Sequence, residues 1–365
     1  MKKYLVPLAD PLVGVEEANA VREVIKSGQL REGEKVRLFE KKIARYLGVK
    51  HAIATSSGTT ALHVALACLG VKKGDEVILP SFTCSPPLSM SLLVGAVPVF
   101  ADIEKETYNI DPQSVEKLVT KKVKVIIPIN YAGHPAKLDV LEEIAKKHSI
   151  FLLNDAAEAL GATYNKKNVT SFGEIGVLGF SPNKTITTGE GGMITTNDDE
   201  FAEEARILKD YGQKQRFHNI ELGSNYHITE MQAAMGIVQL RKIDKIVRLK
   251  RKNAKILTEK LSDLKCLIPP RELPGSTHCY CLYSVRVAGA SRNAVVRGLE
   301  KNGVQNRIYF PPLHQTPLMK KYRFRAGELK NTEEVASTIF SLPSSPKLTM
   351  GQIEYVSGVL HKALE

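Results

Sequence analysis

A single lysine, Lys184, stands among small and hydroxyl residues in the segment GFSPNKTITTGEGGMITTND. Gly189, Gly191 and Gly192 follow it, and they permit a tight turn and a close approach of the backbone. A lysine forms a Schiff base only through a neutral amine, which desolvation in a pocket or a neighbouring cation provides. The segment is therefore compatible with an amine held in place for covalent chemistry. It is also compatible with a surface charge on a polar loop.

Two earlier segments carry residues suited to a phosphorylated, nitrogen-containing ligand. In SSGTTALHVAL, residues 57–60 precede a helix, so they form either an anion site or a plain N-cap. In SIFLLNDAAEALGA, an apolar strand runs into Asp155, which either caps the next helix or pairs with a cation such as a protonated ring nitrogen. A phosphate site, an acid for a pyridinium and a lone lysine are the three contacts that pyridoxal phosphate requires.

Short apolar runs and amphipathic stretches alternate from about residue 50 to residue 200. Strand-like runs HAIAT, EVILP, VPVFAD, VKVIIPI and IFLLND separate helical patterns such as TTALHVALACLG and KLDVLEEIAKKHS. This alternation is typical of βαβ units and predicts a mostly parallel sheet covered by helices on both faces. The predicted fold class is therefore α/β, with a ligand at the carboxyl ends of the strands.

The remainder of the chain indicates a second, smaller unit. Residues 223–261 have the pattern of one long or kinked helix, and the loop IPPRELPGST after it marks a boundary because it is rich in Pro and Gly. Beyond it, CYCLYSVRV predicts a strand, SRNAVVRGLEKNG a helix, VQNRIYF a strand, and the segment from about Thr349 a final helix. We divide the chain into a large α/β domain, residues 1–250, and a small α+β domain, residues 251–365.

Composition and charge narrow the class of protein. No apolar run reaches the length of a membrane span, the N-terminal segment lacks the pattern of a secretory signal, and the five cysteines are scattered. We therefore expect a cytoplasmic protein with free thiols, no membrane association and no metal. The net charge of +12 suits nucleic acid or a phosphorylated small molecule, but the basic run RKIDKIVRLKRKNAK is typical of a solvated helix face. Without a helix-turn-helix signature, we expect no nucleic-acid partner.

Four segments together resemble one enzyme family. SSGTTALH, NDAAEALGA, NKTITTGEGGMI and GSNYHITEMQAAMG have the order and wording of the DegT/DnrJ-type sugar aminotransferases. The resemblance covers nearly the whole chain, from IKSGQLREGEKVRLFEKKIARYLGVKHAIA to YFPPLH and SLPSSPKL. It implies fold type I of the pyridoxal-phosphate-dependent transferases and an enzyme that aminates nucleotide-linked keto-sugars.

The resemblance implies a role for each residue that matches the motifs of the family. Lys184 would form the internal aldimine and then move the proton between cofactor and substrate carbon, while Asp155 would pair with the pyridine nitrogen. Glu158, where relatives often have Gln, would lie near the phenolic oxygen of the cofactor. Asn225 would reach the phosphate from the neighbouring subunit, so a homodimer with shared active sites is expected. The other implied cofactor-binding residues are Gly58, Thr59, Thr60, Cys84 and Ser181.

Three positions depart from the pattern of the family. Gly179 stands where many relatives have a phosphate-binding serine, and Ser181 is a candidate replacement. Cys84 stands where many relatives have an aromatic residue stacked on the cofactor ring, and His227 where they often have Arg. These departures concern cofactor affinity and substrate fit, since none of them removes a reacting group.

The lysine also separates two branches of the family, because relatives that dehydrate a deoxysugar have His in its place. We therefore expect ping-pong transamination in amino-sugar and polysaccharide biosynthesis, with glutamate as donor and a nucleotide-linked keto-deoxysugar as acceptor. Arg307, Tyr309 and His314 in RIYFPPLH are candidates for substrate contact, with packing or a surface role as the alternative. Two other functions stay open: transamination of an unlinked keto-cyclitol or keto-sugar, and a non-catalytic, cofactor-binding regulator.

Overall fold

The computed structural model describes residues 4–364 and is built around one large sheet. One strand, residues Gly192–Thr196, runs antiparallel to both of its neighbours, and the other pairings in this sheet are parallel. The mostly parallel sheet predicted from the sequence is therefore confirmed. Its eight strands, in spatial order, are β1 (His51–Thr55), β9 (Gly192–Thr196), β8 (Ile175–Gly179), β5 (Phe151–Asp155), β4 (Val123–Ile126), β2 (Glu76–Pro80), β3 (Val97–Ala101) and β15 (Arg325–Ala326).

Helices cover both faces of this sheet because successive strand residues point to opposite sides. In β1, Ala52 and Ala54 belong to one buried apolar cluster and Ile53 to another. The first cluster is completed by α2 (Glu34–Leu47), α5 (Pro112–Leu118), α6 (Leu138–His148) and α8 (Glu230–Arg241). The second is completed by α3 (Gly58–Cys68), α4 (Ser85–Leu93) and α7 (Asp199–Lys209), while α1 (Val15–Ser27) packs against α8.

The C-terminal part of the chain has its own apolar cluster around a small antiparallel sheet. The sheet consists of β12 (Leu267–Ile268), β14 (Tyr283–Val287) and β16 (Ile339–Leu342). The helices of this cluster are α9 (Ile243–Lys260), α10 (Arg292–Lys301) and α12 (Met350–Leu364), while α11 (Lys330–Thr338) packs near β14 with its buried residues in another apolar cluster. Val6 joins this cluster, whereas β15 joins the large sheet. The chain thus crosses between the two parts near both ends, and the division at residue 250 stays a prediction.

Short elements complete the fold. One small sheet pairs β6 (Thr163–Tyr164) with β7 (Lys167–Asn168) and β13 (Ser276–Thr277), and a hairpin pairs β10 (Gln213–Gln215) with β11 (His218–Asn219). Four 3₁₀ helices span Tyr131–Gly133, Val169–Ser171, Leu313–Gln315 and Pro317–Lys320.

Two predicted elements differ in the structure. The long helix predicted over residues 223–261 begins only at Glu230, and Lys242 separates α8 from α9, which matches the kinked alternative. The strand predicted over residues 304–310 is not formed. Val304 bridges to Val6, whereas Arg307 bridges to Ser341, so the backbone hydrogen bonds of this segment go to two different elements instead of one continuous ladder.

The strongest basic run of the sequence lies on α9. Ile246 and Leu257 are buried, whereas Lys245, Arg248 and Lys252 are exposed. Most of the run is therefore a solvated helix face, as its spacing predicts, whereas Lys250 of the same run is buried. Within residues 4–364, no helix is both long and apolar enough to cross a membrane.

Candidate active site

Lys184 lies in the loop between β8 and β9 and is held inside the protein. Its side chain is 14% exposed, and its Nζ donates a hydrogen bond to Glu158 Oε1 at 3.1 Å. The loop folds back on itself, since the Lys184 N–H donates to the carbonyl of Ser181 and the Phe180 N–H to that of Gly191. These contacts rule out the alternative of a surface charge on a polar loop.

Glycines bring this loop against the start of α3. A Cβ atom at position 192 would lie 2.2 Å from the Ser57 carbonyl oxygen, and one at Gly58 would lie 3.2 Å from the Gly179 Cα. Since real Cβ atoms do not approach a carbonyl that closely, β9 can pass the helix start only with glycine at position 192. The close approach places the predicted phosphate site beside the lysine loop.

The start of α3 serves both as an N-cap and as a source of free donors. The Ser57 Oγ accepts a hydrogen bond from the Thr60 N–H at 3.1 Å, and the Thr60 Oγ1 accepts one from the Ser57 N–H at 3.0 Å. Gly58 and Thr59 occupy the first two helical positions, where N–H groups have no acceptor within the helix. Both residues line the cavity described below, whereas Thr60 does not, and the Thr60 hydroxyl is engaged in the cap.

Asp155 ends β5, where it both caps the following turn and presents a buried carboxylate. Its Oδ1 accepts a hydrogen bond from the Ala157 N–H at 2.9 Å, so it caps the turn that follows. Its side chain is buried, and within residues 4–364 Ala157 is the residue that donates a hydrogen bond to the carboxylate. Burial raises the pKa of Asp155 to about 6, although the Ala157 N–H and the positive charge of Lys184 oppose that rise. A cation at this carboxylate would lower its pKa again.

Glu158 binds the Lys184 ammonium and raises its pKa. Its Oε2 accepts a hydrogen bond from the Ala132 N–H at 2.8 Å, which leaves Oε1 for the lysine. Burial is the largest single influence on the pKa of Lys184 and lowers it. The negative charge of Glu158, its hydrogen bond to Nζ and other neighbouring groups together outweigh burial, so the lysine pKa lies above its ordinary value. The neutral amine expected from desolvation or from a neighbouring cation is therefore not favoured by the surrounding protein groups, because an acid lies beside the amine.

A cavity of about 240 Å³ brings most of the predicted cofactor-binding residues together. Asn183 and Phe310 also line it, although the sequence pattern did not single them out. The position of Asn183 next to the lysine is the feature of the sequence that could have pointed to it. In the structure, its Oδ1 accepts a hydrogen bond from the Ser181 hydroxyl at 2.8 Å. The predicted residues that line the cavity are Gly58, Thr59, Cys84, Asp155, Glu158, Ser181, Lys184 and Tyr309.

Cys84 caps the N-terminal end of α4 at the wall of this cavity. Burial raises the pKa of the Cys84 thiol to about 12, so the group stays neutral at physiological pH. It offers a small, polarizable contact where many relatives have an aromatic ring. Gly179 leaves space nearby, since a Cβ atom there would make ordinary contacts with Ala157 and Lys184.

The other predicted site residues lie outside this cavity. Asn225 is exposed on a segment that bridges to Asp210. Arg307 lines a second cavity of about 250 Å³, which shares Asn183, Lys184 and Tyr309 with the first.

His314 lies in neither cavity. Its Nδ1 is 2.7 Å from the Ser81 Oγ, and its Nε2 is 3.3 Å from Glu333 Oε1. These contacts join the C-terminal segment to the end of β2, which matches the packing alternative for this residue.

His227, where relatives often have Arg, is part of a charged network near α7. Its Nδ1 lies 2.6 Å from Glu32 Oε2, and its Nε2 lies 2.9 Å from Asp210 Oδ1. The hydrogen bond with Glu32 raises the pKa of His227, and the one with Asp210 adds to this, while burial opposes both. The residue therefore replaces one positive charge by a titratable one.

Comparisons with known proteins agree with this geometry. The GDP-perosamine synthase of Caulobacter vibrioides is 37% identical over 89% of this chain and 89% of its own. The structure of DesV from S. venezuelae in complex with a ketimine intermediate is 30% identical, with a TM-score of 0.92 over 96% of this chain and 94% of DesV.

A third comparison concerns the dehydratases. The E. coli GDP-4-keto-6-deoxy-D-mannose-3-dehydratase with bound hydrated PLP is 27% identical, with a TM-score of 0.92 over 98% of this chain and 100% of its own. Residues 11–361 match the DegT/DnrJ/EryC1/StrS aminotransferase family. The chain belongs to this family and is a sugar aminotransferase of the pyridoxal-phosphate-dependent kind, with the fold of the fold-type I transferases.

Proposed function

We propose that this enzyme transfers an amino group from glutamate to the keto group of a nucleotide-linked keto-deoxysugar, with pyridoxal phosphate bound in the cavity that Lys184 lines. The observation that carries the proposal is the arrangement of that cavity, in which Asp155, Lys184 and the first N–H groups of α3 face one space. The similarity to a GDP-perosamine synthase and to a GDP-sugar dehydratase supports a nucleotide-linked acceptor.

The residues of the cavity fit pyridoxal phosphate. The N–H groups of Gly58 and Thr59 would hold the phosphate at the positive end of α3. Asp155 would hold the ring nitrogen, since this buried carboxylate has one protein donor and a raised pKa that a cationic partner would offset. When bound, the cofactor supplies an electron sink for the carbon that gains or loses the amino group.

Lys184 is the candidate acid–base group, and Glu158 is its hydrogen-bond partner. Lys184 must give up a proton before its amine can act as a nucleophile or base, and Glu158 Oε1 lies 3.1 Å from its Nζ. The Ala132 N–H fixes the other oxygen of Glu158, so the carboxylate stays directed at the lysine. We propose that Lys184 is the general acid and base at the substrate carbon and that Glu158 orients its amine.

We also propose that the active site is completed in a homodimer, with Asn225 serving the cavity of the neighbouring subunit. Asn225 is exposed and lies outside the cavity of its own chain. The adjacent hairpin segment exposes two large apolar side chains, Phe217 at 83% and Leu222 at 96%. Exposed apolar side chains beside a polar group of this kind favour a protein partner.

The experiment that tests the function supplies purified protein with pyridoxal phosphate, ¹⁵N-labelled glutamate and a panel of keto-sugars. The panel contains nucleotide-linked 3-keto and 4-keto deoxysugars and, as the competing class, an unlinked keto-inositol. We expect ¹⁵N to appear in a nucleotide-linked amino sugar, as detected by mass spectrometry. Label only in the cyclitol would replace the acceptor class, and label in no product while glutamate stays unconsumed would refute the proposal.

A further inference from the structure

The second cavity borders Lys184 but was not needed for cofactor binding. It is lined by the N-terminal segment around Asp10, by Lys250 of α9, and by Gln305 and Arg307 before the proline-rich turn. It shares Lys184 with the first cavity, so a molecule in the second cavity can reach the reacting amine.

Basic side chains outnumber acidic ones in the lining of this second cavity. Lys250 is buried, and its ammonium donates to the carbonyl oxygens of Tyr280, Cys281 and Ser344 at 3.3, 3.2 and 3.0 Å. Within residues 4–364 no carboxylate forms an ion pair with Lys250. The acid of the lining, Asp10, has its charge balanced by Lys347 at 2.9 Å.

Arg307 is the cation available to a ligand. Its side chain is exposed at the cavity and makes no hydrogen bond or ion pair within the described part of the chain. A guanidinium presents several N–H donors in a planar fork that matches a carboxylate or a phosphate. An arginine without an acidic partner, beside a buried lysine without one, attracts an anion.

The backbone that carries Arg307 is fixed on two sides. The Arg307 N–H donates to the Ser341 carbonyl at 3.3 Å, and the Ser341 N–H donates to the Arg307 carbonyl at 2.7 Å. Two residues further on, the carbonyl of Tyr309 accepts the hydroxyl of the buried Tyr131 at 2.8 Å. A held backbone lowers the conformational entropy that a binding residue loses when its ligand arrives.

We propose that the second cavity is an anion subsite in which Arg307 binds the charged group of a substrate whose reacting end lies at Lys184. The proposal rests on the proposed function, which identifies the two substrates as glutamate and a nucleotide-linked sugar. Each of these substrates carries an anionic group. Glutamate would present a carboxylate and the nucleotide-linked sugar a diphosphate, and both groups are matched by a guanidinium fork.

The test compares the Arg307→Ala and Arg307→Lys variants with the wild type and with Arg297→Ala. Arg297 is also an exposed arginine, but it lies on α10 and lines neither cavity. Calorimetry with GDP and with inorganic pyrophosphate measures anion binding without any turnover. Stopped-flow absorbance with glutamate measures the concentration that half-saturates the donor half-reaction.

We expect Arg307→Ala to weaken the binding of at least one of these ligands by about tenfold or more, which corresponds to about 1.4 kcal/mol. Arg307→Lys should recover part of this affinity, and Arg297→Ala should not change it. A loss for glutamate alone assigns the subsite to the donor carboxylate, and a loss for GDP and pyrophosphate alone assigns it to the diphosphate. Losses in both arms assign it to both substrates in turn.

Unchanged values in both arms for Arg307→Ala would overturn the subsite. Equal losses in Arg297→Ala would also overturn it, because they would show a general effect of surface charge. Failure of the proposed function is recognised separately: the wild type itself would then show no donor half-reaction, and the calorimetric arm would still decide whether Arg307 binds an anion.

Discussion

Two lysines with little exposure, the partly buried Lys184 and the buried Lys209, have different surroundings in this protein. Lys184 Nζ has one carboxylate partner, Glu158, and borders two cavities. Lys209 is 3% exposed and has two carboxylate partners, with Nζ 2.8 Å from Glu32 Oε1 and 3.5 Å from Glu40 Oε1. The first lysine is accessible to a ligand, while the second is enclosed by its acids.

The surroundings of Lys209 also satisfy its partners. The second oxygen of Glu32 is bound by His227, and that of Glu40 lies 3.2 Å from Arg206 Nη1. Such a closed network stabilises the join between the loop before α2 and the end of α7, and it leaves no exchangeable partner for a substrate. Burial alone therefore does not identify a reactive lysine. The number of its partners and the access of a ligand do.

The comparison predicts that Lys184→Ala has the largest effect on activity. Removal of the acid–base group should lower turnover by about 10²–10⁴-fold or more, because no other amine of residues 4–364 lines the first cavity. After incubation with pyridoxal phosphate and borohydride, peptide mass mapping should find the cofactor on the Lys184 peptide of the wild type and not in the variant. Retained transaminase activity in a folded Lys184→Ala protein would contradict the assignment.

Lys209→Ala should show the reverse pattern. It leaves Glu32 and Glu40 without their shared cation, so the free energy of unfolding should fall by about 3–5 kcal/mol. Activity per folded molecule should stay near that of the wild type. Denaturant titration followed by circular dichroism measures the first quantity, and assays at low denaturant measure the second. A stable but inactive Lys209→Ala protein would break the comparison.

Asp155 should make the affinity of the first cavity for pyridoxal phosphate depend on pH. The carboxylate has a pKa of about 6, raised by burial, so it is ionised above that pH and protonated below it. Since pairing with a ring cation requires the ionised form, affinity for pyridoxal phosphate should fall as pH falls through about 6.

The Asp155→Asn variant is the control for that measurement, because it keeps every other titrating group. It should bind pyridoxal phosphate about tenfold more weakly at neutral pH and should lack the part of the pH dependence that Asp155 causes. Identical pH profiles in variant and wild type, measured by fluorescence titration, would show that Asp155 does not pair with the ring.

The smallest expected effect concerns His227. Its pKa is raised in the folded protein, so its stabilising contribution is fully present below the unfolded pKa of about 6.5 and is lost as pH rises through the folded value. His227→Gln should therefore lower the free energy of unfolding by up to about 1 kcal/mol under mildly acidic conditions, and by less under alkaline ones. A difference that grows with pH would contradict this network.

The sequence predicted the central sheet well because its signals are local. The runs that became β1, β2, β3 and β5 are short and apolar, and amphipathic helices separate them. Their alternation also placed Asp155 at the carboxyl end of a strand, where the structure has it. The strand predicted over residues 304–310 failed because its partners, Val6 and Ser341, are distant in sequence and lie in different elements.

Features of the site that depend on long-range contacts were not predictable in the same way. The Lys184 ammonium donates a hydrogen bond to Glu158, and the Ala132 N–H holds the other oxygen of Glu158. These three residues come from separate parts of the chain. His314 lies in a segment that offered candidates for substrate contact, yet Ser81 and Glu333 bind its ring instead. Residue type suggested each role, and tertiary pairing decided it.

The measurement that tests the central claim most directly is a single-turnover reaction with glutamate. The wild type and Lys184→Ala are each loaded with pyridoxal phosphate, mixed with excess glutamate and followed by visible absorbance, and the keto acid formed is quantified. The account predicts that the wild type loses its visible band and releases one keto acid for each active site, while the variant releases none. Equal keto acid release by both proteins would show that Lys184 does not carry the reaction.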